Sequence, residues 1–194
     1  MNIIKSITAH EMARRFAVGE VNSQFFFSQD ESIKNETLQF LTSGDYALEC
    51  IGIQRHWESR GIFIKSLPKD TEWSLAKLRL SENEFAQLRT VNVDGWINYT
   101  SGSLRLVDAA IFLHSNPTID PRVMAVISSC NQGMFEICGI TLFGQSFERP
   151  LTIVEGTARL VTLYLNYVQK KSCLIYNNEI EVVVGLSHSN WCFS

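Results

Sequence analysis

Three observations predict a mixed α/β (α+β) chain. Apolar residues recur at helical spacing near the N-terminus, in the centre and after residue 157. Short apolar runs bounded by glycine, proline or other turn residues lie between them. The C-terminal third reads strand, glycine, helix, strand. The 194 residues, 45% of them hydrophobic with only 4 prolines, suit one hydrophobic core. A single domain over 1–194 is therefore expected, with an N-terminal mixed part over 1–130 and a core over 131–194 that carries the site.

Thr8 is a helix cap, and Met12, Ala13, Phe16 and Ala17 are spaced for one buried face, so a helix is predicted over 8–18 with Gly19 as its stop. Residues 46–53 read as a strand entered by the Ser43-Gly44-Asp45 turn, and 61–65 as another closed by Pro68. Residues 73–80 alternate as a third strand. Ser81 then caps a helix that turns Phe85, Leu88 and Val91 inward. Asp120-Pro121 opens a helix running to about Cys130, and 137–143 is a buried strand. Leu151 to Glu155 is a strand ending at Gly156. Leu160, Val161, Tyr164, Leu165 and Val168 make one face of the following helix, and the β-branched run 180–186 is a central strand. The order strand, helix, strand predicts a parallel crossover.

A net charge of −3 disfavours direct high-affinity nucleic-acid binding, which needs clustered Lys and Arg. No run approaches the ~20 apolar residues that span a bilayer, and no signal peptide opens the chain, so a cytoplasmic protein without membrane contact is expected. Cys50, Cys130, Cys138, Cys173 and Cys192 are scattered without close C-x-x-C pairs. Free thiols, with no disulfide, zinc or haem, are the expectation.

The chemistry concentrates at Glu155-Gly156-Thr157-Ala158-Arg159. Amides at the start of a helix lack intrahelical partners and carry the positive end of its dipole, which favours an anion there. Gly156 would leave the backbone open to a ligand, Thr157 offers a hydroxyl to an anion or to the helix, and Arg159 offers a planar fork for phosphate. Glu155, at the strand end, is placed to bind a metal, to hold a ribose hydroxyl or to take a proton as a base. The same residues also read as a capped helix with a local Glu155–Arg159 pair at i, i+4. If the crossover is parallel, Ser187 and His188 reach the same sheet edge as Glu155, the edge where α/β folds bind ligands. Catalysis requires a second polar group converging on Glu155, and the candidates are His188, Ser187, Arg149, His56, Glu58 and Arg60.

The run from Arg149 to Leu160, with its acid-Gly-x-x-Arg turn, resembles the signature of the ParB/sulfiredoxin-like superfamily. Val184-Gly185-Leu186-Ser187 followed by Trp191 is similar to the end of bacterial members of that group, so the resemblance covers roughly residues 137 to 194. It implies a core of strand, Gly-x-x-Arg turn, helix and strand, and a turn that binds nucleotide phosphates. Members include ATP-using sulfiredoxin, CTP-binding ParB, serine kinases and proposed nucleases. By carry-over, Gly156 and Arg159 fall on phosphate-binding positions and Glu155 on the acidic one; the helix start and the sheet edge add Thr157 and Ser187 as ligand contacts and His188 as a catalytic candidate. The implied ligand is a small phosphate compound such as a nucleoside triphosphate with Mg2+, and the implied activity is phosphotransfer or nucleotide hydrolysis. The alternatives are a non-catalytic sensor or partner-binding module of a bacterial system, or a nuclease acting with a partner protein.

Two departures narrow this. Many members have His where this chain has Ala158, and no Cys stands at 155–159, which argues against sulfiredoxin's activity. Other motifs are missing. Gly139 to Gly144 has P-loop glycine spacing without the lysine, His10-Glu11 lacks the second histidine of a zinc protease, and there is no G-x-S-x-G elbow.

Overall fold

The computed structural model describes residues 1–22, 30–60, 62–131, 137–148, 150–170 and 178–194, with the side chains of 56–60, 62 and 131 excepted. A six-stranded mixed sheet organises it. The strands are β1 (Asn2–Ile7), β2 (Glu72–Arg79), β3 (Leu88–Arg89), β4 (Thr141–Gly144), β5 (Leu151–Glu155) and β6 (Glu179–Leu186), in the spatial order β1-β2-β6-β4-β5-β3. β1–β2, β2–β6 and β4–β5 are antiparallel, while β4–β6 and β3–β5 are parallel.

Each face of the sheet is covered, and the alternation of side chains shows how. Ala76, Leu78, Leu142, Ile153, Val182 and Val184 point into one core, with α5 (Glu82–Ala86), α7 (Leu106–Ser115), α8 (Pro121–Asn131) and α9 (Thr157–Tyr164) contributing Phe85, Leu113, Val123 and Leu160. Trp73, Leu75, Phe143, Val154 and Val183 point into the other, beneath α1 (Ala9–Val21), α2 (Glu31–Leu41) and α3 (Tyr46–Arg60). β-branched residues on both faces make β6 the central strand that its composition predicts. The short helices α4 (Ile62–Lys65) and α6 (Asp94–Tyr99) complete the helices of the described residues.

Several sequence expectations are corrected. Residues 46–53 form part of α3, because the 43–45 turn is a helix cap: Asp45 Oδ1 accepts from the amides of Ala47 (2.8 Å) and Leu48 (3.2 Å). Gly52 then allows α3 to cross α2, since a Cβ there would lie 2.8 Å from Leu41 Cγ. Residues 62–65 are the one-turn helix α4, before Pro68. The helix after Ser81 ends at Ala86. Phe85, Leu88 and Val91 are all buried as expected, but Leu88 does so from the sheet as part of β3. α1 runs past Gly19 to Val21.

The predicted parallel crossover does not form. β4 lies between β5 and β6, antiparallel to the first and parallel to the second, so β5 and β6 run in opposite directions. α9 still packs its predicted face, with Leu160, Val161, Tyr164 and Leu165 buried, and continues as a π-helical turn, Leu165–Gln169. The C-terminal tail is docked. Trp191 is 3% exposed, donates from Nε1 to Ser66 Oγ at 2.8 Å and packs edge-on against Phe143.

Candidate functional site

The acid-Gly-x-x-Arg turn joins β5 to α9 as predicted. Gly156 is the N-cap residue at φ 96°, ψ 15°, a left-handed conformation that favours glycine. A Cβ at this position would also lie 2.8 Å from Ile140 Cγ1. The room above Gly156 is thus taken by Ile140, and the glycine serves the turn and its packing instead of opening the backbone to a ligand. Thr157 is the first residue of α9 and does not cap it. No side chain caps the helix, and the half-buried Thr157 hydroxyl makes no hydrogen bond among the described residues.

Arg159 is 8% exposed. Its Nη2 donates to Glu155 Oε1 at 3.0 Å and its Nη1 to the carbonyl oxygen of Cys138. The guanidinium also lies beside Gly19 in the last turn of α1, where a Cβ would stand 3.2 Å from Nη1. This explains an arginine at the start of a helix. It opposes the α9 dipole but complements the negative end of α1, and it ties both to the loop before β4.

Arg122, in the first turn of α8, forks onto Asp120 (Nη2 to Oδ2 2.8 Å, Nε to Oδ1 3.2 Å). That hydrogen bond raises its pKa above the ordinary value, with smaller contributions from the charges of Asp120, Tyr99 and Glu155. Glu155 itself is paired with the Arg159 guanidinium. Among the described residues no group of three or more His, Cys, Asp or Glu is arranged to hold a metal ion. The Glu155 carboxylate is already engaged by Arg159, which competes with a magnesium ion for it.

Ser187 and His188 are not brought to this turn. Glu155 is level with Thr141 and Val183 across the sheet, and β6 runs from there past Gly144 to the far end. Ser187 is buried, donates its backbone N–H to Gly144 O at 3.1 Å and donates from Oγ to Asp70 Oδ2 at 2.8 Å. That bond, chiefly, holds the Asp70 carboxyl below its usual range. His188 is exposed and has no hydrogen bond among the described residues. Arg149 and the side chains of His56, Glu58 and Arg60 lie outside the described residues.

The residues that sequence reasoning passed over are at the other end of the sheet. Arg89 and Thr152 line a cleft with Phe143 and the 189–191 tail. Arg89 was concealed by the expectation that its segment continues a helix. The four cysteines described, Cys50, Cys130, Cys138 and Cys192, are free, Cys173 lies outside the described residues, and no described helix is long and apolar enough to cross a membrane. No protein-family model, no curated protein and no solved structure matches the chain, so the ParB/sulfiredoxin-like resemblance rests on the residues of the turn and of the C-terminal strand.

Proposed function

We propose that this chain is a binding module for a small phosphate-bearing ligand, a nucleotide by the resemblance, seated on the first turn of α9 and not turned over by the chain itself. The observation that carries the reading is the uncapped start of α9. Its first-turn amides and the Thr157 hydroxyl have no side-chain partner among the described residues, and the Arg159 guanidinium stands in the same turn. Arg159 contributes charge from a fixed position, since two of its donors are committed to Glu155 and Cys138. Binding without catalysis is favoured because Ser187 and His188, the two candidate partners for Glu155 whose side chains are described, stand at the far end of the sheet.

The test is a thermal-shift panel of nucleotides with and without magnesium. A ligand at 100 times its Kd adds about 2.7 kcal/mol, and the shift is expected without the metal. Thr157→Glu places a carboxylate at a helix start, where it suits the dipole but repels phosphate. It should keep or raise the melting temperature and abolish the nucleotide shift. An unchanged shift in Thr157→Glu rejects the α9 turn as the site, and a shift that needs magnesium rejects the metal-free reading.

A further inference from the structure

We propose that the cleft at the Gly144 end of the sheet is a separate oxyanion site, taking a carboxylate or phosphate carried on a compact apolar body. Its position follows from the strand register. Arg89 on β3 and Phe143 on β4 are both paired with Thr152 on β5, so the three side chains stand in a row on one face of the sheet. Leu88, Leu151 and Ile153 point into the core beneath α7 and α9, which turns this row to the opposite face, beside Trp191. The resulting cleft holds about 400 Å³. It opens at the carboxyl ends of the parallel pair β4 and β6, where open α/β sheets take ligands.

Among the described residues, one group there lacks a counter-ion and another lacks a hydrogen-bond partner. Arg89 Nη1 is held by the carbonyl oxygens of Ala86 (3.0 Å) and Leu88 (3.2 Å), which fixes the guanidinium, yet no carboxylate pairs with it among the described residues. Burial, and then the charge of Arg105 facing it across a β-bridge, lower its pKa, with Asp108 offsetting them in part. An oxyanion in the cleft relieves both. Thr152 is 5% exposed, and its hydroxyl makes no hydrogen bond among the described residues, although buried hydroxyls are ordinarily bonded. It provides the donor beside the cation. Phe143 and Trp191, 1% and 3% exposed, close the floor of the cleft, Leu104 and Pro150 give the rest of the ligand its apolar lining, and Asn190, whose Oδ1 accepts from Gln145 Nε2 at 2.8 Å, adds amide donors at the rim.

The probes are phenyl phosphate and benzoate, with benzyl alcohol as the neutral control, titrated calorimetrically into the full chain. Saturable binding of at least one anion and none of the alcohol is expected, and the better anion tells phosphate from carboxylate ligands. Arg89→Gln should weaken that binding at least about tenfold, the loss of one charge-assisted contact. Thr152→Val removes an unbonded buried hydroxyl, so it should hold or raise the melting temperature while weakening binding several-fold. It keeps the proposal testable if Arg89→Gln folds poorly. Thr157→Glu should leave this binding intact, which separates the cleft from the α9 turn. The proposal is overturned if no anion saturates, if the alcohol binds equally well, if Thr152→Val leaves the affinity unchanged, or if Thr157→Glu abolishes it.

Discussion

Gly19 in the last turn of α1 and Gly139 before β4 meet backbone to backbone: a Cβ built on either would stand 2.6 Å from the other's Cα. Gly139 also has φ +66°. The contact brings α1 down onto the loop whose Cys138 carbonyl receives Arg159, so the turn at 155–159, the loop and α1 form one mechanical unit.

Gly139→Ala should therefore destabilise the protein by about 2 to 4 kcal/mol, combining left-handed strain with overpacking. Gly102 is the control. Its φ is +85°, but nothing lies within 4 Å of a Cβ there, so Gly102→Ala should cost only the strain, about 1 to 2 kcal/mol. Urea midpoints for the two variants check this, and equal losses would deny the Gly19–Gly139 contact its role.

Arg159→Ala should destabilise by about 3 kcal/mol, the low end for breaking a buried pair, because the Glu155 side chain keeps 27% of its surface exposed. This reverses the expectation for an exposed first-turn arginine, whose removal costs little. Arg159→Lys should recover only part of the loss, since one ammonium cannot reach Glu155 and the Cys138 carbonyl with the geometry of the fork. Chemical denaturation of both variants measures it, and a loss below about 1 kcal/mol for Arg159→Ala would show the pair to be dispensable.

Where the chain has one strong periodicity, the fold was legible. Thr8 with Met12, Ala13 and Phe16, the α9 face from Leu160 to Leu165, and the valines of β6 all appear as read. Residues 46–53 misled because a short apolar run satisfies either period, and the Asp45 cap that decides it looks like a hairpin turn. The site was legible as a turn but not in its surroundings. No local pattern announces that β4 is inserted between β5 and β6, and that insertion alone separates Ser187 and His188 from Glu155. The burial of Arg159 depends likewise on residues 19 and 138, which are distant in the chain.

Asp120 provides a pH-dependent prediction. Burial raises its pKa, but the hydrogen bonds and charge of Arg122 and the amides of Arg122 and Val123 outweigh this and hold it below the ordinary value of 3.8. A carboxylate depressed in the folded state stabilises fully above its unfolded pKa and loses that contribution as pH falls through the folded one. The stability gap between the wild type and Asp120→Asn, which keeps a capping oxygen for α8, should be constant near neutrality and close below about pH 4. Denaturation midpoints from pH 7 to pH 3 test it, and a gap that widens on acidification contradicts the assignment.

The cysteines should differ in reactivity by environment. Cys192 is exposed, whereas Cys130 is buried, accepts a weak bond from Asn166 Nδ2 at 3.7 Å and has its thiol pKa pushed up by that burial, with Lys170 opposing. Because the thiolate is the reactive form, burial and a raised pKa both slow Cys130. In a native-state titration with an aromatic disulfide reagent, Cys192→Ser should lose amplitude from the rapid phase. Cys130→Ser should lose it only from the phase that appears on unfolding. A rapid phase diminished by Cys130→Ser would mean that the α8–α9 interface opens readily, contrary to the packing of Val123 and Leu160 in one core.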